Sequence, residues 1–451
     1  MHGRVTYLVD ARGEPVHTWT SDLPSAGAVV LLDSGHLLRA VAIPTAPFHG
    51  GGVGGRLQEL DGDGRVVWDF ELATERYLQH HDFEPMPYGT VLVMAWERKS
   101  AEEALTAGRD PERIRAGALW SEVVVEIEPE PPSSGRIVWE WHAWDHLIQD
   151  QFPERANHGN VAEHPELLDL NAGAPDAAED GPDPKELAEM AALGYGASEG
   201  RSPPRTSQGP DWLHANAIAY DPESERILVS SRALSEVWVL DHSTTVAEAA
   251  GHAGGTYGRG GDLLDRFGNP QSHGAGGEDD RWLFHPHDAH WIPYGQPGYG
   301  NVVLFNNGPR GEAPVSEVLE FRMGSAEGEE TPRPGRHEIA WSCTLLGGEP
   351  FFSRLLSGAQ RLPNGNTLVT IGGEARLVET TPRCDVVWEY THVARPEDRI
   401  GPENVPRPAA EPEDPNVETP RHRVTIFRAT RYPLDHPGVV RLLAADGAKE
   451  K

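Results

Sequence analysis

The sequence predicts an all-β protein, a six-bladed β-propeller in a single domain spanning 1–451, and three observations predict it. A unit of short strands recurs along the chain, each copy ending in an aromatic strand of the V-V-W type. Glycine (49) and proline (39) make nearly a fifth of the 451 residues, which is turn chemistry rather than long-helix chemistry. An incomplete unit at each end of the chain allows the ring to close on itself.

The inner half of the unit is a strand, a proline- or glycine-centred turn and an apolar return. It reads "HDFEPMPYGTVLVMAWE" from His81, "HDAHWIPYGQPGYGNVVLFNNG" from His287 and "SGAQRLPNGNTLVTIGG" from Ser357. Turns of this composition between two apolar runs signal hairpins. Weaker copies are "LLDSGHLLRA" (31–40) and "HANAIAYDPESERILVSSR" (214–232). The outer half is "GRVVWDFEL" (64–72), "GRIVWEWHAW" (135–144), "HEIAWSCTL" (337–345), "CDVVWEYTH" (384–392) and, near the start, "GEPVHTW" (13–19). Blades are therefore expected over about 26–75, 76–146, 212–268, 284–346 and 355–393. The head 5–19 and the tail 424–439 are expected to pair as a sixth, leaving no open sheet edge.

Three segments stand outside the repeat. The stretch 150–211, between blades two and three, is an insertion rich in Ala, Pro, Gly and acids, with a helix-like "DPKELAEMAALGY"; its length suits a lid or a disordered loop. The apolar-poor 395–420 reads as an extended surface crossing. "PFHGGGVGGRLQE" (47–59) lacks the Lys-Ser/Thr of a phosphate loop, so its glycines are read as a tight backbone path.

With 39 basic against 70 acidic residues the net charge is −31, which disfavours nucleic acid and anionic membranes as partners. No signal-peptide pattern is visible, and the longest apolar run near the start, "AGAVVLL", is too short to span a bilayer. The chain is thus expected to be soluble and, as written, cytoplasmic; a missing leader would make it periplasmic. Cys343 and Cys384 fall in successive repeats and are expected to stay unbridged.

Inner strands of a propeller line its central funnel, so residues at one register converge. Counting six back from the turn proline gives His81 from Pro87, His287 from Pro293 and Ser357 from Pro363; Tyr220 stands in for the proline in blade three and gives His214. Antiparallel return from His214 brings Arg232 to the same level. Three histidines and a permanently charged guanidinium suit an oxyanion such as a sulfate or phosphate ester. Asp82 and Asp288, next along each strand, should face away and act as strand-to-strand anchors. Trp96 and Trp291 are expected to pack between blades, and His80 and His290, at odd offsets, to be structural.

At these residues the sequence resembles the bacterial, PAPS-independent arylsulfate sulfotransferases. The likeness runs over roughly 76–393, and the pairing of His214 with Arg232 is its most specific part. The resemblance implies a six-bladed propeller that moves a sulfuryl group from an aryl sulfate donor to a phenolic acceptor, without a cofactor. It implies His287 as nucleophile through a sulfohistidine, in a ping-pong cycle, with His81, His214 and Arg232 binding sulfuryl oxygens and assisting proton transfer. Asn216 and Ser357 are the expected substrate-binding residues. The chain departs from the family in having Pro286 where glutamine usually precedes the nucleophile. Two other readings stay open: a non-catalytic propeller binding an anionic or phenolic ligand, and a metal-dependent hydrolase or lyase using the same histidines.

Overall fold

The computed structural model describes residues 4–48, 50–114, 117–173, 210–308, 314–323, 337–393 and 425–449. Five four-stranded antiparallel sheets succeed one another in chain order. Their innermost strands are Ser25–Leu31, Tyr77–Pro85, Ala215–Asp221, His287–Trp291 and Gly358–Arg361. Their outermost strands are Val66–Glu71, Ser134–His142, Asp265–Phe267, His337–Cys343 and Val386–Thr391. Each blade thus falls within one residue of the expected boundaries.

The core lies between blades, in slabs rather than one centre. Leu57, Trp68, Phe83, Val93 and Val125 fill the space between blades one and two. Trp141, Leu213, Ile227 and Trp238 fill the next, and Phe305, Val318, Val369 and Val378 the one between four and five. Each fully buried side chain of this size contributes about 1.5–3 kcal/mol. The tryptophans of the outer motif do more than fill space. Trp68 donates its indole N–H to Ser134 O (2.8 Å), Trp141 to Gly261 O (2.7 Å) and Trp341 to Pro382 O (2.8 Å), each a carbonyl of the next blade. Trp388 reaches Ala11 O (2.7 Å), and Trp19 reaches Asp61 O (3.1 Å).

Those last two bonds locate the chain's first hairpin, Val5–Val9 paired with Pro15–Thr20, between blades five and one. The expected sixth blade does not form there: the described residues hold five four-stranded blades, and the hairpin is only two-stranded. The tail does run beside blade five, where Ile426 N–H donates to Gly372 O (3.0 Å) and Phe427 O accepts from Ser357 N–H (3.0 Å). Side chains then take the places of ladder partners. Thr370 Oγ1 accepts from Ala429 N–H and Gln360 Oε1 from Arg431 N–H. These N–H groups go to side chains and build no ladder, and among the described residues the N- and C-terminal segments do not pair as strands. The helix Pro437–Lys449 follows, with Val439 and Leu442 packed on Trp19, Leu37 and Leu60.

The cysteine expectation is also corrected. Cys343 and Cys384 are joined by a disulfide with a Cα–Cα distance of 5.9 Å. The outer strand of blade four ends at Cys343, beside the turn that opens the outer strand of blade five. Gly347 N–H donates there to Cys384 O (2.9 Å), so residues of neighbouring repeats meet at the rim.

Of the insertion, 150–173 carries a short 3-10 turn at Val161–Glu163 and a two-residue strand, Leu168–Asp169, paired parallel with Leu147–Ile148. The helix-like 183–195 and the stretch 395–420 lie outside the described residues. No helix among the described residues is long and apolar enough to cross a membrane.

Candidate active site

Four of the five inner strands break their pairing register, and in blade five the left-handed residue Ser357 stands just before the strand. The pairing register shifts between Gln79 and Phe83, between Ala215 and Ala217, and between His287 and His290. Left-handed backbone marks these places: φ is 48° at His81, 45° at His214, 57° at Asp288 and 88° at Ser357. In blade one the corresponding residue is Gly27, with φ 123°. A side-chain-bearing residue in this region costs of order 1–3 kcal/mol, and such strain gathers where side chains must be aimed.

The bulges aim the histidines inward. His81, His214 and His287 are all buried, and the rings of His81 and His214 meet edge to face at 4.9 Å. Ala215 pairs with Ser231, so Arg232 returns to the level of His214, and its N–H donates to His214 O (3.1 Å). The antiparallel argument for Arg232 therefore holds.

Each imidazole has a partner that sets its tautomer. Asn307 Nδ2 donates to Ser353 O (2.7 Å) and Leu356 O (3.2 Å), which turns its Oδ1 toward His287 Nδ1 at 2.6 Å. His285 O lies 3.0 Å from the same nitrogen. Two acceptors require Nδ1 to carry the proton, which leaves the lone pair on Nε2. Burial, then the charge of Arg232, pushes the His287 pKa down to about 3, although Asn307 and His285 act the other way. His287 is a neutral imidazole at physiological pH.

His81 ends a buried chain. Glu122 Oε2 is 2.9 Å from His80 Nε2, and His80 Nδ1 is 2.8 Å from His81 Nδ1. Glu122 Oε1 accepts from Ala215 N–H (2.9 Å), while burial raises the Glu122 pKa despite His80 beside it. Burial first, then His214 and His80, holds His81 well below the usual imidazole range. His81 Nε2 is buried without a hydrogen-bond partner among the described residues. Gly52 covers that end of the ring: His81 N–H donates to Gly52 O (2.8 Å), and a Cβ at Gly52, where φ is 79°, would stand 2.2 Å from Nε2. The glycine-rich stretch is thus a close backbone path over the site. His214 Nδ1 lies 2.5 Å from Asp211 Oδ2, and although burial opposes it, His214 holds the Asp211 carboxyl below its ordinary value.

His80 is therefore part of the site rather than an uninvolved structural residue; its ring is stacked on buried Trp96 at 4.1 Å. Asn307, Glu122 and Asp211 escaped the sequence reading. Asp211 stands three residues before His214 in "DWLH", and Glu122 is the acid in the apolar run "WSEVVV"; both signals were present. His290 bonds Asp288 O (2.9 Å), and Trp291 lies against Arg226.

Asn216 and Ser357 are buried beside the cluster. Asn216 Nδ2 donates to Pro286 O (2.9 Å), holding the residue before His287, and its Oδ1 has no hydrogen-bond partner among the described residues. Ser357 Oγ accepts from Gly372 N–H (3.0 Å).

Asp82 and Asp288 anchor strands as expected, accepting from Ile218 N–H (3.2 Å) and Ala359 N–H (3.1 Å) of the following blades. They do not face away from the axis, however. Arg428 of the tail reaches both: Asp82 at 2.7 and 2.5 Å and Asp288 at 3.1 Å. The bulges interrupt simple alternation, so neighbouring residues both turn inward. Burial raises the Asp82 pKa against the pull of Arg428, and burial followed by Asp82 pushes Glu84 up to about 8. Arg428 thereby clamps the two strands that carry His81 and His287.

Among solved structures, the chain is similar to a protein of unknown function from Bacteroides caccae, at 11% identity and a TM-score of 0.42, covering 86% of this chain and 91% of that one. It is also similar to the periplasmic gluconolactonase of Pseudomonas aeruginosa, at 11% identity and a TM-score of 0.36, over 85% and 90% of the two chains. Likenesses this distant do not bear on chemistry. No curated protein matches the sequence. A profile of the family described as Arylsulfotransferase (ASST) matches residues 2–399, most of the length, and the chain belongs to the arylsulfotransferase family.

Proposed function

We propose that the protein transfers a sulfuryl group from an aryl sulfate ester to a phenolic acceptor, with His287 as nucleophile. The observation that carries this reading is the state of His287: neutral, with Nδ1–H held by Asn307 and His285 and the lone pair left on Nε2. In the first step Nε2 attacks sulfur, the sulfur–phenolate oxygen bond breaks, and the leaving phenolate takes a proton. The second step reverses this: the acceptor oxygen attacks sulfur, the N–S bond breaks, and the acceptor's proton is taken up by the site. One aryl sulfate and one acceptor phenol become the donor's phenol and the acceptor's sulfate ester, with no cofactor consumed.

Arg232 supplies a fixed positive charge to the sulfuryl oxygens, and its pull on both His81 and His287 supports its closeness to each. His214 with Asp211, and His81 with His80 and Glu122, form two imidazole–carboxylate relays fit to hold and return the phenol's proton. Asn216 and Ser357 would contact the substrate. His81 can reach it only if the turn around Gly52 moves off its Nε2. A metal-dependent reaction at the funnel finds less support, since the charge of Arg232, which acts on both His81 and His287, would repel a cation there.

Intact-mass measurement after brief exposure to 4-nitrophenyl sulfate without acceptor, at mildly alkaline pH, tests this reading. One added sulfuryl group that is absent in His287→Ala is expected. Folded protein that gains no adduct and releases no nitrophenol overturns it.

A further inference from the structure

A second histidine group lies on the outer side of the ring, away from the funnel residues. His146 follows the outer strand of blade two, while His252 and Asp262 belong to the connection between Glu236–Asp241 and Asp265–Phe267 in blade three. Asp262 Oδ1 is 2.8 Å from His146 Nδ1 and 2.7 Å from His252 Nδ1. One ligand-type atom from each residue lies within 4.8 Å of the others.

Proton accounting makes this group unusual. His146 Nε2 lies 2.8 Å from Ala249 O. A carbonyl oxygen only accepts, so Nε2 carries the hydrogen. In a neutral ring Nδ1 then turns its lone pair on a carboxylate oxygen 2.8 Å away, and two lone pairs at that distance repel unless a cation stands between them. His146 cannot turn aside: it is fully buried, lies parallel to the Trp141 ring, and is closely covered by Gly261, where a Cβ would come within 2.5 Å of Nε2. Trp141 Nε1 donates to Gly261 O (2.7 Å), which holds the loop down. His252, 62% exposed, leaves one side of the group open to water.

We propose that His146, His252 and Asp262 bind a divalent transition-metal ion of the zinc class, which staples the blade-three connection to blade two. Two imidazoles and one carboxylate suit zinc and its neighbours, whereas calcium and magnesium ask for more oxygen ligands. Water completes the coordination on the exposed side. An ion held by the folded chain and not the unfolded one raises the melting temperature, by an amount that grows with the logarithm of its concentration once the site is filled.

The test uses the full chain without a polyhistidine tag, stripped with EDTA, desalted and titrated with ZnCl2. One zinc per chain is expected to survive a second desalting, with a rise in melting temperature that chelator reverses. His252→Ala, an exposed and therefore benign substitution, and Asp262→Asn are each expected to lose the bound zinc and the shift, while His287→Ala keeps both. Cobalt in place of zinc should give visible absorption bands in wild type and lose them in His252→Ala. The proposal is overturned if wild type holds no more zinc than His252→Ala, which would leave a proton as the shared cation. It is equally overturned if zinc is lost in His287→Ala and kept in His252→Ala, which would place the metal in the funnel.

Discussion

The inner and outer strands of the blades are the same repeat used in opposite ways. On the outer strands one device recurs with little change: an indole donates to a carbonyl of the next element, through Trp68, Trp141, Trp341, Trp388 and Trp19. On the inner strands a left-handed residue recurs within one residue of the same register while its identity varies: Gly27, His81, His214, Asp288 and Ser357. Glycine meets that requirement without strain and the others do not. The ring holds itself together at the rim through these indole bonds and uses left-handed backbone to aim side chains where the imidazoles meet. Changes at the centre should therefore cost chemistry, and changes at the rim should cost stability.

The largest effect expected is at His287. His287→Ala should lower transfer by roughly 10³-fold or more, the scale of a lost nucleophile. Circular dichroism should keep the wild-type strand signal. Loss of the fold along with the activity would break the contrast, because the centre would then be structural as well.

Arg232 should rank next. Arg232→Met is expected to reduce kcat/KM by about 10²-fold, in line with removal of a charge that stabilises an oxyanion. Arg232→Lys should recover part of this, since an ammonium keeps the charge but not the planar fork. Equal values for Lys and Met would mean that the fork, not the charge, does the work.

The buried imidazoles also give the centre a signature in stability. His287 is held at about 3 and His81 well below its usual range, both chiefly by burial. Their folded pKa values lie below those of the unfolded chain, about 6.5. As pH falls the unfolded chain therefore takes up these protons first, and stability is lost from about pH 6.5 downward, to about pH 3 for His287. Each such group contributes about 1.4 kcal/mol per pH unit inside its window. Urea melts between pH 7 and 4 should show a shallower decline in His287→Gln than in wild type; parallel lines would mean that His287 takes up its proton in the folded state.

How much of this was legible follows the same division. Blade boundaries could be read because the outer motif repeats its residues and hairpin turns repeat their composition. The register of His81, His214 and His287 could be read because a count from a turn survives a bulge when the three strands that carry them bulge near the same level. What could not be read depends on contacts distant in sequence. Arg428 meets Asp82 across 346 residues, and Asn307 reaches His287 from the return strand. The sixth blade is expected because "VTIFRATRYP" has the composition of a strand, and composition does not reveal that Thr370 and Gln360 take N–H groups of this segment. The disulfide is not legible because distance in repeats is not distance in space. Cys343 and Cys384 belong to different blades, but both lie at the rim, where successive blades touch.

The smallest effect expected tests the rim itself. Trp341 donates to Pro382 O from the outer strand of blade four, and its ring packs over Arg361, which is buried against Glu320. Trp341→Phe keeps an aromatic ring there and removes the indole N–H, leaving the Pro382 carbonyl without that donor. A lost hydrogen bond of this kind costs about 0.5–1.5 kcal/mol. In a chemical melt the midpoint should fall with no change in slope, and transfer measured at 25 °C should stay within about twofold of wild type. A change in activity larger than the change in stability would mean that rim and centre are coupled through the slabs of packed side chains between them. The same repeat would then transmit strain from one end of a blade to the other instead of keeping its two tasks apart.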